Sequence, residues 1–322
     1  MDKKINHNIS VVIPVYNSES ILPELVERLV KCLEEISPSF EVLLVNDGSE
    51  DNSWNSILSI TDHDERLLGI NLRRNYGQHN ALLCGIRQAK YEVIVTVDDD
   101  LQHPPEEIHK LIEKLDEGFD VVYGIPAKLV HSTWRNFSSR FTKIFLGKML
   151  GIEGIKYISA FRAFKTDLRT AFSQFDSPNV IIDALLRWGT DKFETVEVYE
   201  LQRSVGRSNY NLFKLAKFTM LVLTGFSTIP LRFASLLGFF LTIFGIGVLM
   251  YVVIKGFVGG DFPGFPFLAA IISIFSGAQL FGLGIFGEYL ARVFNRSMRI
   301  PTYVVGEMTD SKSTKKDPFN ND

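Results

Sequence analysis

Between residues 9 and 100, short apolar runs alternate with segments of helical spacing. ISVVIPVYN (9–17) is a β-branched run closed by Pro14 and Asn17, which predicts a buried strand leading into a loop. The next segment spaces Ile21, Leu25, Leu29 and Leu33 as one helical face. EVLLVNDGS repeats the strand-to-loop scheme, and DNSWNSILSI opens as a helix with Asp51 or Asn52 available as its cap. RLLGINL, a helix from about Gly77 to Ala89, and YEVIVTVDDD continue the alternation. Strand alternating with helix predicts a mostly parallel, Rossmann-like α/β sheet covered on both faces, with ligands held outside the carboxyl ends of its strands.

The pattern changes near residue 228. Phe233 to Ile254 and Phe262 to Gly287 carry no charge, and each is longer than the roughly 20 residues that cross a bilayer core. Lys214, Lys217 and Arg232 precede the first stretch, and Arg292, Arg296 and Arg299 follow the second, whereas the connection KGFVGGDFPGFP has one Lys and one Asp. The positive-inside rule then predicts a multi-pass protein of the cell (inner) membrane with both termini and the α/β domain in the cytoplasm. The N-terminus MDKKINHNIS lacks the apolar core of a signal peptide. The expected organisation is an α/β domain over 1–228, a two-helix transmembrane domain over 229–290, and a basic segment with a disordered tail over 291–322.

Charge and cysteine usage narrow the function classes. The 322 residues carry a net charge of −3, which gives no electrostatic reason to expect nucleic acid. The two cysteines, Cys32 and Cys84, lie far apart without ligand spacing, so neither a disulfide framework nor a zinc site is expected. Neither GxGxxG nor GxxxxGK[ST] occurs, which removes the main support for a dinucleotide oxidoreductase or a P-loop NTPase.

VTVDDDLQHPPEE (95–107) then stands out. Three consecutive acids follow a buried strand, and together they cost free energy unless something neutralises them. On an extended segment residues i and i+2 face one side, so Asp98 and Asp100 can share an ion while Asp99 faces elsewhere, and Gln102 adds a neutral oxygen in phase. Such a set suits a hard cation, Mg²⁺ or Mn²⁺, with positions left for phosphate oxygens.

VVIPVYN, NDGS, RNYGQH and DDDLQHPPEE, in this order, resemble the family 2 GT-A glycosyltransferases. With two C-terminal apolar stretches, the chain is most similar to the branch that loads sugars onto polyprenyl phosphates, and the resemblance runs from residue 9 to about 305. It implies a nucleotide-sugar donor, with UDP the expected nucleotide. Pro14, Tyr16 and Asn17 would border the nucleotide, Asp47 would hold base or ribose, Asp98 would face nucleotide and metal, and Asp100 and Gln102 would be metal ligands. The family usually has Glu directly after YN; here Ser18 and then Glu19 stand there, and either takes that contact.

STWRNFSSRFTKIFLGKML sets aromatic and apolar residues at helical spacing among Arg135, Arg140, Lys143 and Lys148, the pattern of a helix lying in a membrane interface; YNLFKLAKFTMLVL is a second. Arg135 and Ser139, four apart, match an Arg and Ser that grip the lipid phosphate in the family, and QRSVGRSNY resembles its R-x-x-G-x-S-K-Y segment, which brings Arg203 and Ser208 to the phosphates. Asn209 and Pro126 stand where relatives carry basic residues, with Lys128 or Arg207 available to compensate.

Relatives that glycosylate hydroxyls carry Q-x-x-R-W, whereas this chain has ALLRW, with Ala184 in place of Gln. A phosphate acceptor, largely a dianion near neutral pH, needs positioning more than proton removal. The expected reaction is inverting, metal-dependent transfer to undecaprenyl phosphate, with Asp100, Arg135 and Arg203 as its principal groups. The alternatives are a processive polysaccharide synthase and a non-catalytic scaffold for a lipid-sugar flippase. The resemblance also implies a homo-oligomer. KYISAFRAF (156–164) is expected to flank the sugar, and His79 is the histidine expected nearest the donor.

Overall fold

The computed structural model describes residues 6–127, 158–201, 229–258 and 264–309. The chain forms two compact units, one of residues 1–209 with 300–322, the other of residues 210–299.

In the first unit, β1 (Ile9–Val15), β2 (Phe40–Asn46), β3 (Leu67–Leu72) and β4 (Val93–Thr96) pair in parallel, and α1 (Leu22–Ile36), α2 (Ser53–Thr61) and α3 (Gln78–Gln88) connect them. Every residue of β1 and β2 is buried, as strands covered on both faces require. α1 turns Leu22, Leu25, Leu29 and Leu33 inward at the helical period and begins with Pro in its first turn, where no intrahelical N–H is lost. Of the two residues available to cap α2, Asn52 makes no side-chain capping bond, and Asp51 Oδ1 accepts from Ser53 N at 3.0 Å.

After α4 (Ile108–Asp116) come β5 (Val121–Pro126), β6 (Arg162–Lys165), α5 (Ile182–Gly189) and β7 (Phe193–Val198), and after residue 300 comes β8 (Val305–Met308). The eight strands are ordered β7-β5-β6-β4-β1-β2-β3-β8, with β6 antiparallel to β4 and β5, and β8 antiparallel to β3. The sheet is therefore mixed but mostly parallel, a Rossmann-like frame.

β8 lies within residues 291–322, between the basic segment and the tail expected there. Arg73 N donates to Val304 O at 3.0 Å, Thr309 N to Gly69 O at 2.9 Å, and Trp54 Nε1 to Glu307 Oε2 at 3.1 Å. Four residues at a sheet edge need backbone pairing more than an apolar pattern, so hydropathy gives no sign of them.

In the second unit, α6 (Ile229–Phe257) and α7 (Phe265–Ser297) are long and apolar enough to cross a membrane. They display exposed Phe, Leu and Ile side chains that a purely aqueous surface would not carry. The two pack on each other where Gly245 passes Phe275: a Cβ at Gly245 would lie 3.0 Å from the Phe275 ring.

Candidate active site

Asn17, Asp47 and Asp98 to Asp100 all follow the carboxyl ends of parallel strands and so lie along one sheet edge. Hydrogen bonds run round their loops in a closed ring. Asp99, after β4, accepts at Oδ2 from Tyr16 N (2.9 Å) and Ser18 Oγ (2.5 Å) in the β1–α1 loop. That loop gives its remaining tip N–H groups to the β2–α2 loop and the first residue of α2: Asn17 N to Ser49 Oγ (3.0 Å), Ser18 N to Ser53 Oγ (2.9 Å) and Glu19 N to Asp51 Oδ2 (3.2 Å). Asp47, after β2, accepts from Tyr76 N (2.7 Å) and Gly77 N (2.8 Å) beyond β3. Gln78, opening α3, closes the ring by donating Nε2 to Asp98 Oδ1 at 2.6 Å.

Backbone geometry makes this closeness possible. Gly48 has φ 65°, and a Cβ there would fall 2.5 Å from the backbone of Arg74 and Asn75, so the β2 and β3 loops approach only because position 48 is glycine. Asn17 adopts φ 54°, a conformation that Asn tolerates better than most residues.

The acids are not on a strand. β4 ends at Thr96, Asp99 and Asp100 form a turn, and Leu101 has φ 56°. The turn, rather than strand alternation, directs Asp99 to the β1 loop and Asp98 to α3. Burial pushes the Asp98 carboxyl up to about 7, the charges of Asp100 and Asp99 push the same way, and Arg162 and the Gln78 bond oppose them. Burial raises Asp99 too, against the bonds from Ser18 and Tyr16. Among the described residues no three His, Cys, Asp or Glu side chains form a closed metal cage. Asp98 and Asp100 nevertheless fit a hard divalent cation of the kind that takes one or two carboxylates and completes its shell with water and phosphate, since that charge would relieve the repulsion Asp98 experiences. Gln102 donates its backbone N–H to Asp100 Oδ1 at 3.1 Å and accepts from Leu201 N at 2.8 Å.

Beneath the acids lies a buried polar cluster that sequence reasoning missed. Arg162 on β6 and Asp183 in the first turn of α5 form an ion pair, both almost fully buried. Tyr123 OH donates to Asp183 at 2.9 Å, and Arg162 Nε donates to Thr96 Oγ1 at 3.1 Å. His79 Nδ1 accepts from Ile182 N at 3.4 Å; burial pushes its imidazole down to about 4, with Asp183 opposing and Arg162 assisting. An Arg inside the apolar SAFRAF was the available signal, since a charge there must be paired.

The other expected residues distribute as follows. Pro14 is buried within β1 and pairs in register with Val45. Tyr16 is 45% exposed at the sheet edge. Asn17 Oδ1 accepts from Glu50 N at 2.9 Å. Both oxygens of Asp47 are taken by the loop beyond β3. Glu19 is engaged by Asn52 at the start of α2. Arg135, Ser139, Arg203 and Ser208 lie outside the described residues, as do both expected interfacial helices. β5 and β7 run in the direction of β4, so Ala127 and Leu201, which follow them, lie at the same sheet edge as the acids.

The sequence profile of Glycosyl transferase family 2 matches residues 10–172, just over half of the chain. The chain belongs to glycosyl transferase family 2. Family 2 relatives named undecaprenyl-phosphate 4-deoxy-4-formamido-L-arabinose transferase are 34% identical in Shewanella sediminis, over 97% of this chain and 96% of theirs, and 33% identical in Proteus mirabilis, over 98% and 97%. A crystal structure of Mycobacterium tuberculosis glucosyl-3-phosphoglycerate synthase is similar with a TM-score of 0.49 at 18% identity, covering 68% of this chain and 78% of that one. As a family 2 member, the protein is a glycosyltransferase.

Proposed function

We propose that this glycosyltransferase moves a sugar from a nucleotide-linked donor, UDP being the nucleotide, onto the phosphate of undecaprenyl phosphate at the cytoplasmic face of the cell membrane, with inversion at the anomeric carbon. One observation carries the reading. The acidic turn and the departure points of the two segments holding Arg135 with Ser139 and Arg203 with Ser208 share one sheet edge. The names of relatives that match over nearly their whole length support undecaprenyl phosphate as the acceptor.

An acceptor phosphate oxygen attacks the anomeric carbon, the bond from that carbon to the donor diphosphate breaks, and the diphosphate leaves with the electron pair. The acceptor has a second pKa near 6 and is already largely a dianion, so no general base is required. Asp183 is engaged by Arg162 and Tyr123. Arg135 and Arg203 screen the repulsion between two anionic reactants. Asp98 and Asp100 would hold the divalent cation, Mg²⁺ or Mn²⁺, which when bound supplies Lewis-acid stabilisation of the departing diphosphate.

Incubating the purified full chain with undecaprenyl phosphate, Mn²⁺ or Mg²⁺ and a panel of UDP-sugars should give a lipid product whose mass has grown by one glycosyl unit. Asp100→Ala should abolish that product while the protein stays folded. Turnover near normal in Asp100→Ala would overturn the assignment.

A further inference from the structure

Asp98 and Asp99 are neighbours in sequence that bind opposite sides of the site: Asp98 reaches α3 through Gln78, and Asp99 reaches the β1–α1 loop through Tyr16 and Ser18. Without Asp99 the ring of four loops opens at one point, between the turn that carries Asp98 and Asp100 and the loop that carries Tyr16 and Asn17. The other N–H groups at the tip of that loop are engaged elsewhere: Asn17, Ser18 and Glu19 give theirs to the β2–α2 loop and the first residue of α2.

Both bonds that Asp99 accepts fall on a single oxygen, Oδ2. Ser18 takes part in the link as a hydroxyl donor, and the adjacent Glu19 faces the start of α2. The carboxylate that accepts from Tyr16 N and the Ser18 hydroxyl thus comes from the β4 turn. From these contacts we propose that Asp99 is a positioning residue of the donor site, which fixes the nucleotide-side loop at Tyr16 and Asn17 relative to the Asp98–Asp100 pair and does not itself hold the cation. The proposal deepens the donor-site reading above and rests on it.

The placement has a distinctive consequence for substitution. Asn keeps an acceptor oxygen where Asp99 Oδ2 stands, so Asp99→Asn can retain both bonds, whereas Asp99→Ala loses both and Ser18→Ala loses one. A metal ligand would behave in the opposite manner, with the loss of charge in Asn weakening the cation directly.

The test uses the full-length protein in detergent, with UDP binding followed by calorimetry, Mn²⁺ binding by electron paramagnetic resonance, and turnover. Asp99→Ala should weaken UDP binding and raise the donor KM about tenfold, with kcat and the Mn²⁺ dissociation constant measured without nucleotide each changed less than about threefold. Ser18→Ala should fall between it and wild type, and Asp99→Asn should restore UDP binding to within about threefold. Loss of Mn²⁺ binding in Asp99→Asn would overturn the proposal by making Asp99 a ligand. Unchanged UDP binding in both Asp99→Ala and Ser18→Ala would overturn it alone, with the donor site intact. A wild-type protein that bound neither UDP nor Mn²⁺ would overturn the donor-site reading, and the proposal with it. Should Asp99→Ala fail to fold, the order wild type, Asp99→Asn, Ser18→Ala in UDP affinity decides the matter.

Discussion

Arg162 is a guanidinium 2% exposed in the middle of a sheet, and its bonds to Asp183 and Thr96 make it tolerable there. Arg162→Met should leave Asp183 buried and unpaired, at a cost of about 3–5 kcal/mol. The measurement is the thermal midpoint of the detergent-solubilised chain, and an unshifted midpoint would contradict the account. His79 supplies a pH signature. Its folded pKa of about 4 lies below the ordinary value near 6.5, so between those values the unfolded chain takes up a proton that the folded one refuses. Its contribution is therefore intact above about 6.5 and is lost as pH falls toward about 4. His79→Gln should flatten the acid side of the stability profile by a slope of about one proton, read as the difference from wild type.

At the scale of elements, α3 carries Gln78 to Asp98 and lies very close to the sheet. A Cβ on Gly85 would come within 2.3 Å of Val12 Cγ1 and 3.2 Å of Val45 Cγ2, and Val12 is fully buried and stiff at χ1. Gly85→Ala should lift the helix, lower stability by about 1–3 kcal/mol and weaken donor binding through displacement of Gln78, as unfolding and calorimetry would report. The alternation that placed β1 to β4 and α1 to α3 was legible because buried parallel strands and amphipathic helices write their period into the chain. The site was legible as residue types at strand ends, and much less so as contacts. Asp47 and Asp51 read as ligand and cap, yet which loop N–H each would meet depends on Gly48 bringing two loops together, a tertiary fact. Asp183 lay unread within IIDALLRW because its meaning depends on Arg162, which is distant in sequence.

For the whole molecule, chain connectivity sets a topological condition. The chain leaves the first unit near residue 209 and rejoins it at residue 300, and between those points lie two helices able to cross a membrane. An even number of crossings follows for any membrane-spanning arrangement. A membrane-impermeant maleimide should label Gly260→Cys from the face opposite to Ser313→Cys, against little background because Cys32 and Cys84 are buried. Labelling of both from one face would refute two crossings. The pairing of β8 with β3 also orders events during synthesis. The outer edge of β3 has no partner until residues 305–308 leave the ribosome, by which time α6 and α7 have been made. A nascent chain arrested within α7 carries a bare strand edge, so completion of the enzyme's sheet waits on synthesis of both long apolar helices.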